Sequence, residues 1–371
     1  MIKLTLWLSL ITLFSCAQVK TTSLQLDKPS IEKDFFKVAW VKNLDPIYNT
    51  GNLPIGTSSP YAFEDILYMG NLKGYMQAYS VETGEVLWSA NEKLPIQSQV
   101  NKLGDYVFYG TKTGRLITRH YLTGKLNYSI DLGSPIETQP SFLQGRVVLH
   151  LRNHTVITLD AKTGKIFWRY KRSIPYVTTL QRVSQLLPYK NSMIIGFADG
   201  YLVSLSLEEG VINWEQKLSV GIKFVDVDVQ PVMFNGMIVA GSASGPLRFL
   251  SPESGAIEKT IDFHQSHTPL IVDGEMIVGS VFGLIYHIDK FGKVVRKLKV
   301  SDDGISSISQ WKGHFVVTTM GKFVYQIDMK TLNTVSSFDL GSDQSAVFGT
   351  SVKADSFLAL YSSRNRLYIF K

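Results

Sequence analysis

The sequence predicts an all-β protein, an eight-bladed β-propeller of four-stranded antiparallel blades whose ring is closed by an N-terminal strand joining the C-terminal blade. Three observations lead there. A hairpin unit recurs at intervals near forty residues, a second glycine marker precedes each hairpin by about ten residues, and a lone strand-like segment near the start supplies what the last repeat lacks.

The hairpin is clearest at Ile157-Thr-Leu-Asp-Ala-Lys-Thr-Gly-Lys-Ile-Phe-Trp168. Apolar and polar residues alternate in part along 155–160 and again along 165–170, as half-buried strands require. Thr163-Gly164 between them supplies a residue that accepts positive φ without a Cβ penalty. Such a hairpin cannot bury its own apolar face, so it must be repeated. Turn glycines at 84, 124, 164, 210, 255 and 292 are spaced by 40, 40, 46, 45 and 37 residues, and Leu332 stands 40 further on.

The second marker comprises Gly74, Gly114, Gly200, Gly245 and Gly283, each between two short β runs such as Met193-Ile-Ile-Gly-Phe197 and Tyr201-Leu-Val-Ser-Leu205. His154 and Lys322 replace it in the third and seventh copies. Four short strands per period of about forty is the pattern of a propeller blade, and the scarcity of helical periodicity argues against helical repeats.

Residues 356–360 and 366–370 give the second and third strands of an eighth copy with no outer strand after them. The segment 37–44 reads as an outer strand without a preceding hairpin, with Trp40 where Trp88, Trp168 and Trp214 stand in their copies. Pairing the two removes two exposed sheet edges.

At 371 residues the repeats make one domain, 35–371. The net charge of +7 is spread over turns and strand ends, which disfavours nucleic acid as a partner. Residues 1–15 read as an export signal: Lys3 lies in a short basic start, and the apolar run that follows is too short to span a bilayer. Leu13-Phe-Ser-Cys16 resembles a bacterial lipobox, which implies acylation of Cys16, the one cysteine of the chain. A plain secretory signal ending near a cysteine is the alternative. Residues 16–34 are polar and aperiodic and read as a lipidated flexible tether.

Motifs for catalysis are thin. No G-x-S-x-G elbow or phosphate-binding P-loop occurs. His264 and His267 fall short of a closed metal site, and Asp302-Asp303-Gly304 reads as a polar turn. The expectation is binding without catalysis, cofactor or metal.

The D-x-x-T-G-x-x-x-W pattern at 160–168 and the segment Asp226-Val-Asp228-Val-Gln-Pro231 carry a resemblance over about 35–371. The chain resembles the BamB family of lipoproteins within the pyrroloquinoline-quinone-type repeat superfamily. Val229 and Gln230 stand where that family has threonines in its D-V-D-T-T-P segment. The resemblance implies a scaffold of the outer-membrane β-barrel assembly complex, lipid-anchored in the outer membrane and facing the periplasm. It implies that Asp226 and Asp228, with Leu180 and Arg182 one blade earlier, engage the POTRA region of BamA, and that unfolded outer-membrane proteins are assisted, by strand addition to a blade edge. Two other readings stay open: a propeller lipoprotein scaffolding another periplasmic complex, and a quinone-dependent dehydrogenase. The latter resemblance would imply a calcium ion and an adjacent cysteine pair, which this sequence lacks.

Overall fold

The computed structural model describes residues 35–45, 57–174, 183–219, 221, 225–354 and 356–371. The expected signal, the lipid site at Cys16 and the tether fall outside the described residues. Eight separate four-stranded antiparallel sheets are formed. Blades 1 to 7 comprise 61–91, 101–131, 141–171, 187–217, 232–261, 270–299 and 305–339, each paired in simple chain order. Blade 8 joins 352–370 to the strand Val38–Asn43, as the sequence led us to expect.

This order gives the ring two distinct faces. The turns between second and third strands lie with the blade-to-blade connections on one side, here called the entry face. The turns between first and second strands lie with the Thr-Gly hairpins on the other, the turn face.

Burial follows from blade stacking. The third strand of blade 3, Thr155–Asp160, was expected to have one buried face, yet five of its six residues are buried. Neighbouring blades cover both of its sides; Val156, for example, packs with Met193 and Val203 of blade 4. Clear alternation survives in outer strands such as Ile166–Lys171, where each second side chain reaches solvent.

The repeated tryptophans latch blades 8, 1, 3 and 4 each to the next. Nε1–H of Trp40, Trp88, Trp168 and Trp214 donates to the carbonyls of Val81, Tyr121, Leu207 and Pro252 at 2.7–3.0 Å. Tyr128 reaches Ala161 O at 3.1 Å in the same way. Each indole also lies against the next blade's turn glycine: a Cβ on Gly210 would stand 2.5 Å from Trp168. The glycine is thus required twice, by φ of +70° and by the ring beside it. Gly210→Ala is expected to cost about 3 kcal/mol in denaturant unfolding, from left-handed strain plus overlap. Gly236→Ala, at φ +80° with nothing within 4 Å of the added carbon, is expected to cost about 1 kcal/mol.

Closure uses the same device. Val38 pairs with Phe370 and Asn43 with Arg366, while Trp40 fastens blade 8 to blade 1 through Val81 and lies under Gly84.

Two marker positions differ from expectation. Gly245 opens the third strand of blade 5 rather than a turn, and it is held there by close approach, since an added Cβ would stand 2.7 Å from Ser219 Oγ. Lys322 does not take positive φ, whereas His154, at φ 60°, does take the conformation of the glycines it replaces.

Candidate partner-binding face

The entry face is built from one repeated turn. At the end of the second strand in blades 1, 2, 4 and 6, Gly70, Gly110, Gly196 and Gly279 leave room for an apolar residue from the next blade. Those residues are Ile96, Ile136, Val227 and Ile305, and each donates its backbone N–H to a carbonyl of the preceding blade at 3.0–3.1 Å. Val227 is fully buried. The segment Asp226-Val227-Asp228 is therefore blade 5's copy of an anchoring turn that recurs at three other blade junctions, with its two carboxylates on either side of the plug.

The two aspartates are not equivalent. Asp226 is 2% exposed. Asp228 lines the central cavity, about 700 Å³, with Glu137, Arg152 and residues from the first-strand entries of other blades. Leu180 and Arg182 lie outside the described residues. Their connection joins blade 3 to blade 4, and its described ends, 172–174 and 183–186, stand on this same face.

Those ends are tied down by polar contacts. The Arg172 guanidinium sits between Asp199 at 2.5 Å and Glu215 at 2.8 Å, and lies over the Tyr201 ring at 4.7 Å. Its backbone N–H donates to His154 O at 3.1 Å. His150 Nδ1, donating as N–H, lies 3.0 Å from Ser184 O. Burial pushes His150 down to about 3 and His154 to about 4, so both rings are neutral at physiological pH.

A glutamine collar was missed in the sequence. Gln99, Gln139, Gln185 and Gln230 donate their side-chain amides to Pro60, Val100, Gln139 and Leu186 carbonyls of the preceding blade at 2.8–3.2 Å. Ser58, Ser184 and Ser266 add bonds forward to Ser98, Val229 and Ile305 carbonyls. The glutamines are spaced by 40, 46 and 45 residues, the same intervals as turn glycines 124, 164, 210 and 255. That agreement was the available signal. The collar spends its polar groups on the ring itself, which makes the face a rigid platform.

Among the described residues no group of three or more His, Cys, Asp or Glu is arranged for a metal ion. His264 Nδ1 lies 3.0 Å from Ala243 O and His267 Nδ1 lies 2.7 Å from Thr268 O, so the two imidazoles bond separate carbonyls. The Arg152–Glu137 pair, at 2.8 Å, occupies one of the cavity's carboxylates.

The family described as "Outer membrane protein assembly factor BamB" matches residues 72–297, more than half of the sequence. The chain belongs to the BamB family. The BamB of Yersinia pestis is 23% identical over 261 residues, 66% of this chain and 63% of its own length. That of Alteromonas naphthalenivorans is 25% identical over 314 residues, 76% and 74%. The crystal structure of BamB from Moraxella catarrhalis superposes with a TM-score of 0.77 at 17% identity, covering 90% of this chain and 99% of that one, a likeness of fold. Quinone alcohol dehydrogenases also match: the dehydrogenase subunit of Komagataeibacter europaeus is 28% identical over 162 residues, 36% of this chain and 21% of its own. In sequence, these two BamB relatives align with 66% and 76% of this chain and the quinone enzyme with 36%.

Proposed function

We propose that this propeller is a non-catalytic scaffold lipoprotein of the outer-membrane β-barrel assembly complex, held in the outer membrane through Cys16 and facing the periplasm, and that its entry face docks on the POTRA region of BamA. The observation that carries the reading is the position of the Asp226-Val-Asp228 segment. It is clamped into the rim of a rigid collar, where Ser184, in a described end of the connection between blades 3 and 4, donates to Val229 O.

In this reading Asp228 touches the partner and Asp226 positions the segment from behind, since its side chain is enclosed. Leu180 would supply an apolar anchor and Arg182 a planar cation, the pairing that concentrates binding energy at interfaces. A collar already bonded to itself loses little conformational entropy on docking.

The test is co-purification. Arg182→Glu with Asp228→Lys is expected to cut recovered BamA by about tenfold or more, as loss of a hot spot does. The melting curve should stay within a few degrees of the parent. BamA retained at the parental level would sink the assignment of this surface.

A further inference from the structure

The turn face has a charge pattern that the sequence conceals. Lys290 and Lys293 flank the hairpin tip of blade 6, Lys312 and Lys330 occupy the two turns of blade 7, and Lys37 leads into the outer strand of blade 8. All five are exposed, and among the described residues none pairs with a carboxylate within 4 Å. The positive charge read from the sequence as scattered is therefore partly gathered in one sector. The turns of blade 1 on the same face carry Glu64, Asp65, Glu82 and Glu85 instead.

Of the described acids in the basic sector, Asp289, Asp328 and Glu275 are occupied, and Asp273 is exposed. Asp289 accepts from the backbone N–H groups of Phe291 and Lys293, and Asp328 from those of Lys330 and Thr331. Glu275 pairs with His287 at 2.5 Å, and with Asp273 it lines a cleft between blades 6 and 7.

At the tip of the same sector stands Phe291, 78% exposed, the most exposed of the large apolar side chains described. Lys290 lies 5.2 Å from the centre of its ring, and Lys259 of the neighbouring blade donates to Gly292 O beneath it. An aromatic ring held out on a turn between lysines suits an interface that is apolar below and anionic above.

The chain also enters the ring here. Phe35 packs on Trp311 and His314 at 5.1 and 5.2 Å, in the turn of blade 7 that carries Lys312. Eighteen residues, 17–34, precede it after Cys16, a length that spans at most roughly 60 Å.

We infer that the blade 6 to 8 sector of the turn face rests on an anionic phospholipid bilayer, with Phe291 inserted between headgroups and the lysines above them. Four of the lysines sit on turns of blades 6 and 7 and the fifth at the start of the blade 8 outer strand, rather than around a pocket, which matches a flat, fluid surface better than a single acidic epitope. The Asp228 face then points away from the lipid, free for a protein partner. The inference rests in part on the envelope placement proposed above. The test is made in vitro, so failure of either leaves the other standing.

The full chain is floated with vesicles of phosphatidylcholine alone, or of phosphatidylcholine and phosphatidylglycerol in equal parts. Apolar residues at the chain start bind both kinds alike, so the readout is the preference for the anionic ones. Lys290→Glu/Lys293→Glu/Lys312→Glu is expected to reduce that preference by about a hundredfold, from about fivefold per cation. Phe291→Ser should weaken anionic binding while leaving its salt dependence unchanged. Equal reversal of Lys162 and Lys165, on blade 3, should change it little. The inference is overturned if the parent shows no preference, if the triple variant keeps it, or if soluble polyglutamate binds this sector while vesicles do not, which would assign it to an acidic protein.

Discussion

Removal of residues 36–44 is expected to lower the melting temperature by on the order of 10 °C or more and to make the protein prone to association. The deleted strand supplies five paired positions against Arg366–Phe370, so the last described strand would become a bare edge. It also takes away Trp40, which packs against the core cluster containing Tyr79, Leu367 and Ile369 and donates to Val81 O of blade 1. The loss is larger than a local one because two blades are uncoupled at once. Trp40→Ala separates the contributions: the strand remains, the latch goes, and about 3 kcal/mol should be lost, the low end for a large aromatic since the indole is half-buried. Trp168→Ala should cost a similar amount without promoting association, because blade 3 keeps its outer strand. A truncated chain that melted like the parent would mean that the ring is held shut by something other than this strand.

Much of this architecture was legible because a propeller states its rule many times. Thr163-Gly164 and Trp168 alone indicate a hairpin, and their recurrence at nearly fixed spacing turns a local pattern into a ring. The unpaired third strand at 366–370 and the spare outer strand at 37–44 could be matched because each repeat shows what a complete copy contains. What lay beyond reading is contact between copies. Positive φ explains a glycine at 210, yet the Trp168 ring pressed against it belongs to another blade and no window of sequence contains both. The glutamine collar likewise had the correct spacing, but a spacing acquires meaning only when the topology shows that those positions meet around one axis.

The site was less legible than the fold for a related reason. Asp226 and Asp228 alternate along the chain and look alike as a pair of acids. Val227, plugged against Gly196, is what turns one of them into the protein and the other to the cavity. His154 gives the opposite case: a missing glycine reads as degeneration of the repeat, whereas the structure shows a buried imidazole in the left-handed conformation, 5.7 Å from the ring of His150.

That histidine pair, with His267, predicts the steepest acid sensitivity in the molecule. Burial holds His150 down to about 3, helped by the His154 ring and opposed by the Ser184 carbonyl. Burial likewise holds His154 to about 4 against Asp199, and His267 to about 4 against the Thr268 carbonyl. Once unfolded, each ring protonates near 6.5. The unfolded chain therefore binds protons that the fold refuses, so stability is complete above pH 6.5 and falls as pH drops toward 4. Each unit below 6.5 costs about 1.4 kcal/mol per histidine, so near pH 4.5 the combined loss is on the order of 5 kcal/mol or more. Asp160 and Asp328, held below the usual carboxylate range by their threonine neighbours, contribute at lower pH and do not blur this window. His154→Gly is the informative variant, because Gly74, Gly114 and Gly200 already occupy this turn position in other blades with positive φ. It should leave stability at pH 7.5 nearly unchanged, as relief of left-handed strain offsets lost packing, and it should flatten the slope of melting temperature between pH 6.5 and 4.5 by about a third. His267→Gln should flatten it by a similar share. Curves for the variants that run parallel to the parent would show that these rings are not what makes the fold acid-labile.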